Sequence, residues 1–135
     1  MQPARLLSHA SAESGMPTWR YYYNDSFPNI FMEGYPDLGS YHTSDLSLIW
    51  GIYPTEGATE REVELSKSIQ AAWAGFVKDP WGAGPGWEKV NGTHTNLACW
   101  GCDSGTQATI IDDGVVDARC PYYEGIYPTV TTPYF

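Results

Sequence analysis

Basic side chains are scarce in this chain: seven Lys and Arg stand against sixteen Asp and Glu, a formal charge of −9. A surface that holds phosphates concentrates Lys and Arg, so nucleic acid is not an expected partner, nor is an anionic membrane surface. The acidity otherwise speaks to solubility rather than fold. Charge of either sign is thin, at 17% of residues against about a quarter in an ordinary globular chain. No apolar window approaches the length of a membrane span. The N-terminus, MQPARLLSHASAESG, lacks the apolar core of a secretory leader. There is no internal repeat and no low-complexity segment. Cysteines are few and odd in number: Cys99, Cys102 and Cys120. An oxidising compartment would leave one of them without a partner inside the chain.

What is present in quantity is aromatic. Tyr, Trp and Phe make up 15% of 135 residues, with ten Tyr and six Trp, and the hydrophobic content of 42% suffices for a core. The length allows one domain. Two glycosylation triplets, Asn24-Asp25-Ser26 and Asn91-Gly92-Thr93, point to an extracellular setting. Set beside the missing leader and the odd cysteine, they create an expectation that part of the protein lies upstream. The bland alternative is a cytosolic protein with three reduced thiols.

Residues 3–14 read as a short helix, with Pro3 in its first turn, Leu6, Leu7 and Ala10 on one face and Gly15 as its stop. Residues 18–23, Thr-Trp-Arg-Tyr-Tyr-Tyr, read as a central strand covered on both faces. Residues 24–39 are loop, broken by Pro28, Gly34 and Pro36. A glycine-bounded loop then carries His42, and the apolar run 46–50 behind it reads as a buried strand-like segment. The clearest element is a helix over 59–77. Thr59 and Glu62 have capping-box spacing, acidic residues fill its first turn, and Leu65, Ile69, Ala72, Trp73 and Phe76 form one apolar stripe. Pro80 ends it. Trp73 and Phe76 are read as core packing. Residues 97–101 and 107–111 read as two strands of a hairpin turned at Asp103-Ser104-Gly105. Residues 117–123 read as a helical turn, and 127–135 as an extended tail. No second long strand offers itself to flank 18–23, so the chain reads as one end of a larger sheet that exposes a wide apolar patch.

Histidine is the side chain best suited to move protons near neutral pH, and a loop braced by packed elements can aim one. His9 and His94 have no motif around them and are read as surface residues. Cys99-Trp100-Gly101-Cys102 has metal- or redox-like spacing, but zinc wants four ligands and only Cys120 or His94 could join the pair. A disulfide among the cysteines, or an orphaned thiol, is the expectation; no metal is assigned.

The ordered series of these segments resembles the C-terminal end of the type-B carboxylesterase/lipase family, in particular its fungal secreted members. The resemblance runs over nearly the whole chain. Pro17-Thr18-Trp19-Arg20-Tyr21-Tyr22-Tyr23 with Phe27-Pro28-Asn29 looks like the family's late sheet strand and exit loop. Gly39-Ser40-Tyr41-His42-Thr43-Ser44-Asp45-Leu46 through Trp50-Gly51 looks like its histidine loop. Leu65-Ser66 through Gln70 and Ala72-Trp73-Ala74-Gly75-Phe76-Val77-Lys78-Asp79-Pro80 resemble its last long helix, and Gly86-Trp87 continues the match. Asp117-Ala118-Arg119-Cys120 is similar to a terminal motif of the fungal branch.

The resemblance implies an α/β fold: residues 1–135 would be a single partial domain, the C-terminal fragment of an α/β-hydrolase with an incomplete sheet. It implies a carboxylic ester hydrolase with no cofactor, secreted as the parent protein, in which His42 serves as the triad base. Asp45 departs from the family's usual glutamate. It is expected to fix the loop as a hydrogen-bond acceptor or an arginine partner, not to be the triad acid, which comes earlier in the chain. The nucleophile elbow G-x-S-x-G is absent. Ser11-Ala12-Glu13-Ser14-Gly15 has no glycine two before Ser14 and follows a helix rather than a strand. Serine, acid and oxyanion segment are therefore expected upstream, and the chain alone is expected to be inactive. Two other readings are a non-catalytic relative used for protein interaction, and an aromatic-rich carbohydrate-binding module.

Overall fold

The structure, a computed structural model, describes residues 2–91 and 96–123. In chain order it comprises α1 (Gln2–Glu13), β1 (Arg20–Tyr23), α2 (Leu46–Trp50), α3 (Glu60–Lys78), β2 (Asn96–Trp100), β3 (Thr109–Asp112) and α4 (Gly114–Asp117), closed by a 3-10 turn over Cys120–Tyr123. His94 and the tail 127–135 lie outside the described residues.

The three strands form one sheet in the order β1-β2-β3. β1 and β2 are parallel, with Arg20 opposite Leu97 and Tyr23 opposite Trp100. β2 and β3 are antiparallel, with Asn96 opposite Asp112 and Cys99 opposite Thr109. Parallel neighbours need a long crossover, and here it holds α2 and α3. The expectation of a central strand without a flanking partner is corrected. β2 flanks β1, and β1 lies at the edge of the sheet among the described residues. At that edge Arg20 is buried but Tyr21 is 38% exposed, so the strand is not covered on both faces. A small mixed sheet with one open parallel edge is compatible with a fragment of a larger one.

α3 starts as its sequence dictates. The Glu62 backbone N–H donates to Thr59 Oγ1 at 3.1 Å, and the Thr59 N–H donates to Glu62 Oε2. Glu62 is fully buried because its other oxygen, Oε1, accepts from Asn29 Nδ2 at 2.9 Å. Asn29 also donates to the Pro54 carbonyl, so the cap ties two loops to the helix. Leu65 and Ile69 enter a core with Phe27, Ile30, Leu48, Ile49 and Trp100, and Trp73 packs against it. Phe76, read as core, is 43% exposed and instead meets Trp19 edge to face at 5.6 Å.

The run 46–50 is a helix, not a strand. A run of five residues, four of them apolar, cannot distinguish the two by periodicity. The helix wins because its end is satisfied: Ser66 Oγ donates to the Leu48 carbonyl at 2.7 Å, and Gly51 takes the left-handed cap. α1 ends on Gly15 with the paired turn bonds of a glycine cap. Its face is not the expected one, since Leu7 is 67% exposed and Ser8 is buried. The hairpin turn is longer than expected. Asp103 holds it, accepting from the Gly105 N–H and the Thr109 hydroxyl. Arg61 donates to the carbonyls of Asp103, Ser104 and Gly105 and pairs with Asp25 at 2.6 Å.

Beyond β3, α4 is fixed by charge. Arg20 Nη1 and Nη2 reach Asp117 Oδ2 and Oδ1 at 2.6 and 2.9 Å. Both side chains are buried, and Asp113 lies 3.8 Å away. The cysteine expectation resolves into two states. Cys99 and Cys102 are joined in a disulfide at the end of β2, whereas Cys120 is a buried thiol with Sγ 3.7 Å from Asp117 Oδ1. Gly101 stands between the bonded pair at φ +83°, and a Cβ there would lie 2.5 Å from Asp25 Cβ.

Two outcomes are expected. Asp117→Ala strands the buried guanidinium and lowers stability by roughly 3–5 kcal/mol in urea unfolding. A loss below ~1 kcal/mol would mean that water compensates Arg20. A thiol-alkylating reagent modifies no cysteine in the folded chain and one after unfolding without reductant. Fast labelling of the folded chain would contradict the burial of Cys120.

Candidate active site

His42 sits in the connection between β1 and α2, and the backbone there turns sharply. The Ser44 N–H donates to the Tyr41 carbonyl at 3.1 Å, and the Leu46 N–H to the Thr43 carbonyl at 3.0 Å. Gly39 and Thr43 both have positive φ, and Thr43 at φ 76° is the one non-glycine residue so placed among the described residues. A β-branched residue in that region costs roughly 1–2 kcal/mol, and such strain persists only where surrounding bonds impose it. The imposed bonds are visible on both sides of His42. Ser40 Oγ donates to the Tyr23 carbonyl at 3.0 Å, and the Tyr21 hydroxyl donates to Asp45 Oδ2 at 2.7 Å. Below the loop, Ser44 is buried and α2 is anchored to α3 through Ser66.

His42 itself is exposed. Among the described residues its ring has no hydrogen-bond or ion-pair partner. What the arrangement offers is a proton acceptor on a turn whose backbone is held by two side-chain bonds.

Asp45 is a loop-fixing acceptor whose partner is a tyrosine and not an arginine. Burial first, then the hydrogen bond and charge of Asp45, hold the Tyr21 phenol far above its ordinary range. Burial also raises the Tyr23 phenol, helped by Asp25, Asp45 and Glu62. Both stay protonated at neutral pH, so Tyr21 remains a donor.

The other expected residues are scattered. Asn24 is exposed, and its Oδ1 accepts from the Tyr22 hydroxyl at 3.2 Å. Asn91 is exposed, but positions 92 and 93 of its triplet lie outside the described residues. His9 is not a plain surface residue: its Nε2 is buried without a partner. No group of three or more His, Cys, Asp or Glu is placed to hold a metal among the described residues. No helix there is long and apolar enough to cross a membrane.

Sequence reasoning missed Tyr21, Ser40 and the Arg20–Asp117 pair. The available signal was the period of two along β1, which sends Arg20 and Tyr22 to one face and Tyr21 and Tyr23 to the other. It could not supply the partner, because Tyr21 and Asp45 are 24 positions apart.

The chain has named relatives among lipases and esterases. No protein-family model matches the chain. It is 41% identical over 70 residues to secreted lipase 5 of Gibberella zeae, covering 51% of this chain and 13% of the relative. It is 35% identical over 69 residues to the chlorogenic acid esterase of Aspergillus niger, covering 50% and 13%. It is 33% identical over 94 residues to liver carboxylesterase 1 of Mus musculus, covering 66% and 16%. The matches support a carboxylesterase or lipase relationship, over a span that is only about one sixth or less of each relative's length.

The tyrosines and Cys120 set an alkaline limit. Burial raises the Cys120 thiol as well, with Asp117 adding to it. The folded state keeps protons that the unfolded state releases, so stability is complete below the ordinary phenol and thiol values and falls as pH rises through them. The urea midpoint should drop between about pH 7 and about pH 10.5, and Tyr21→Phe should reduce that drop. A midpoint independent of pH there would remove the tyrosine argument.

Proposed function

We propose that the chain is the C-terminal segment of a secreted serine carboxylic ester hydrolase of the fungal type-B carboxylesterase kind, and that His42 is its triad base. Residues 1–135 are then one partial domain of an α/β-hydrolase fold. What carries the reading is the setting of His42: an exposed imidazole on a strained turn after a parallel strand, its loop tied to that strand, in a chain whose relatives are named esterases and lipases.

The chemistry follows from that placement. His42 takes the proton of a serine hydroxyl as its oxygen attacks the ester carbonyl. It then returns the proton to the departing alcohol, and a water repeats the exchange to free the acid. The serine, the triad acid and the oxyanion donors come from residues outside this chain, so the piece alone does not turn over esters. Two features agree with a completing piece. The outer edge of β1 is open to another parallel strand. Phe31, Tyr35, Leu38, Trp50 and Ile52 are each about half or more exposed, a load of apolar surface that a finished monomer seldom leaves uncovered. The substrate is a small-molecule carboxylic ester. Asn24 and Asn91 are the glycosylation candidates of the secreted form.

Hydrolysis of a short-chain nitrophenyl ester tests this. The chain alone should not exceed buffer. The chain extended by its preceding coding sequence should hydrolyse the ester, and His42→Ala should lower that rate by about a thousandfold or more. Activity in the chain alone that vanishes in His42→Ala would place a nucleophile inside these residues and reject the fragment reading. An extended chain unaffected by His42→Ala would reject His42.

A further inference from the structure

The two bonds that flank His42 end on one short strand. Ser40, two residues before it, reaches the Tyr23 carbonyl, and Asp45, three residues after it, receives the Tyr21 hydroxyl. Positions 21 and 23 are about 7 Å apart along an extended backbone. The six residues 40–45 are thus stapled over a fixed, short base, with His42 and the strained Thr43 between the staples.

The two staples differ in kind. Ser40 finds a backbone carbonyl that any residue at 23 would supply. The other depends on one side chain being held in place. The Tyr21 ring meets Trp73 of α3 edge to face at 4.7 Å and Trp100 of β2 at 6.1 Å. Trp73 and Trp100 are themselves 5.9 Å apart. An aromatic ring caged by two others has little rotamer freedom left to lose, so its hydroxyl arrives at Asp45 already oriented. Asp45 heads α2 but makes no side-chain cap bond to it. Its carboxylate is therefore spent on Tyr21 and not on the helix.

We infer that Tyr21 is a positioning residue for His42: through Asp45 it transmits the rigidity of the sheet and of α3 to the turn that carries the imidazole. This rests on the reading of His42 as the triad base, but the turn can be tested without any hydrolysis.

The experiment is hydrogen exchange and histidine resonance spectroscopy on the whole 135-residue chain. In Tyr21→Phe the ring stays and only the hydroxyl is lost. The Ser44 and Leu46 amides should lose protection by about tenfold or more, as expected when a local hydrogen bond is removed. The His42 ring signal should broaden or split, while the amides of the β2–β3 pairing keep their protection. Asp45→Ala should reproduce this. Asp45→Asn, which keeps an acceptor oxygen, should stay within about threefold of the parent. Unchanged protection and an unchanged His42 signal in Tyr21→Phe overturn the proposal, as does a uniform loss across the sheet, the mark of a merely structural role. Should Tyr21→Phe not fold, Asp45→Ala reads the same bond from its other end, and an unaltered His42 there is equally fatal. If the turn loosens as expected but the extended chain hydrolyses no ester, the esterase reading fails while the staple stands.

Discussion

The parallel pairing of Arg20–Tyr23 with Leu97–Trp100 is the constraint on which the rest depends. Four residues on or next to that strand reach three other parts of the molecule. Trp19 meets Phe76 at the far end of α3, Arg20 grips Asp117 of α4, Tyr21 reaches Asp45 of the histidine loop, and the Tyr23 carbonyl receives Ser40. Because side chains alternate along a strand, a slip of one residue would turn Arg20 toward the loop and Tyr21 toward α4. The buried guanidinium tolerates no such exchange, since it is compensated by Asp117 at its end with Asp113 3.8 Å away. Register, charge and site geometry are thus one condition met once.

α3 is the second support, and it works differently. Its buried stripe fills the core, while its polar residues hold neighbouring loops. Glu62 gathers Asn29 and the helix start, Arg61 gathers the hairpin turn and Asp25, and Ser66 donates to the Leu48 carbonyl of α2. Each of these would be an ordinary exposed helix residue in isolation. Around so small a sheet they substitute for packing that a larger core would provide. The strain at Thr43 sits between these supports, where the scaffold over-determines the backbone enough to keep it.

The open edge of β1 and the exposed aromatic surface are both compatible with a fragment of a larger sheet. A relationship to esterases and lipases whose chains are several times longer agrees with that. The loop that carries His42 is shaped by what lies beneath it, through Tyr21 and the Tyr23 carbonyl of β1.

Much of this was legible in the residues themselves, wherever the causes were local. The capping box at Thr59 and Glu62, the stop at Gly15 and the stripe through Leu65 and Ile69 follow from spacings of three and four, which any isolated helix would feel. The aromatic strand and the hairpin were likewise written in short patterns. The run 46–50 misled because so short a run satisfies either period, and what decided for a helix was a carbonyl acceptor for Ser66, 18 positions away. Tyr21 gave no hint of being more than strand filler, and neither Arg20 nor Asp117 announced the other across 97 positions. Those partners are matched by parallel pairing through a long crossover, and pairing of that kind leaves no mark on the neighbours of either residue. By itself the sequence determined most of the elements, the run 46–50 excepted, and that His42 stands on a turn. Only the tertiary structure decided which side chains hold that turn, because an orientation is set by contacts and not by composition.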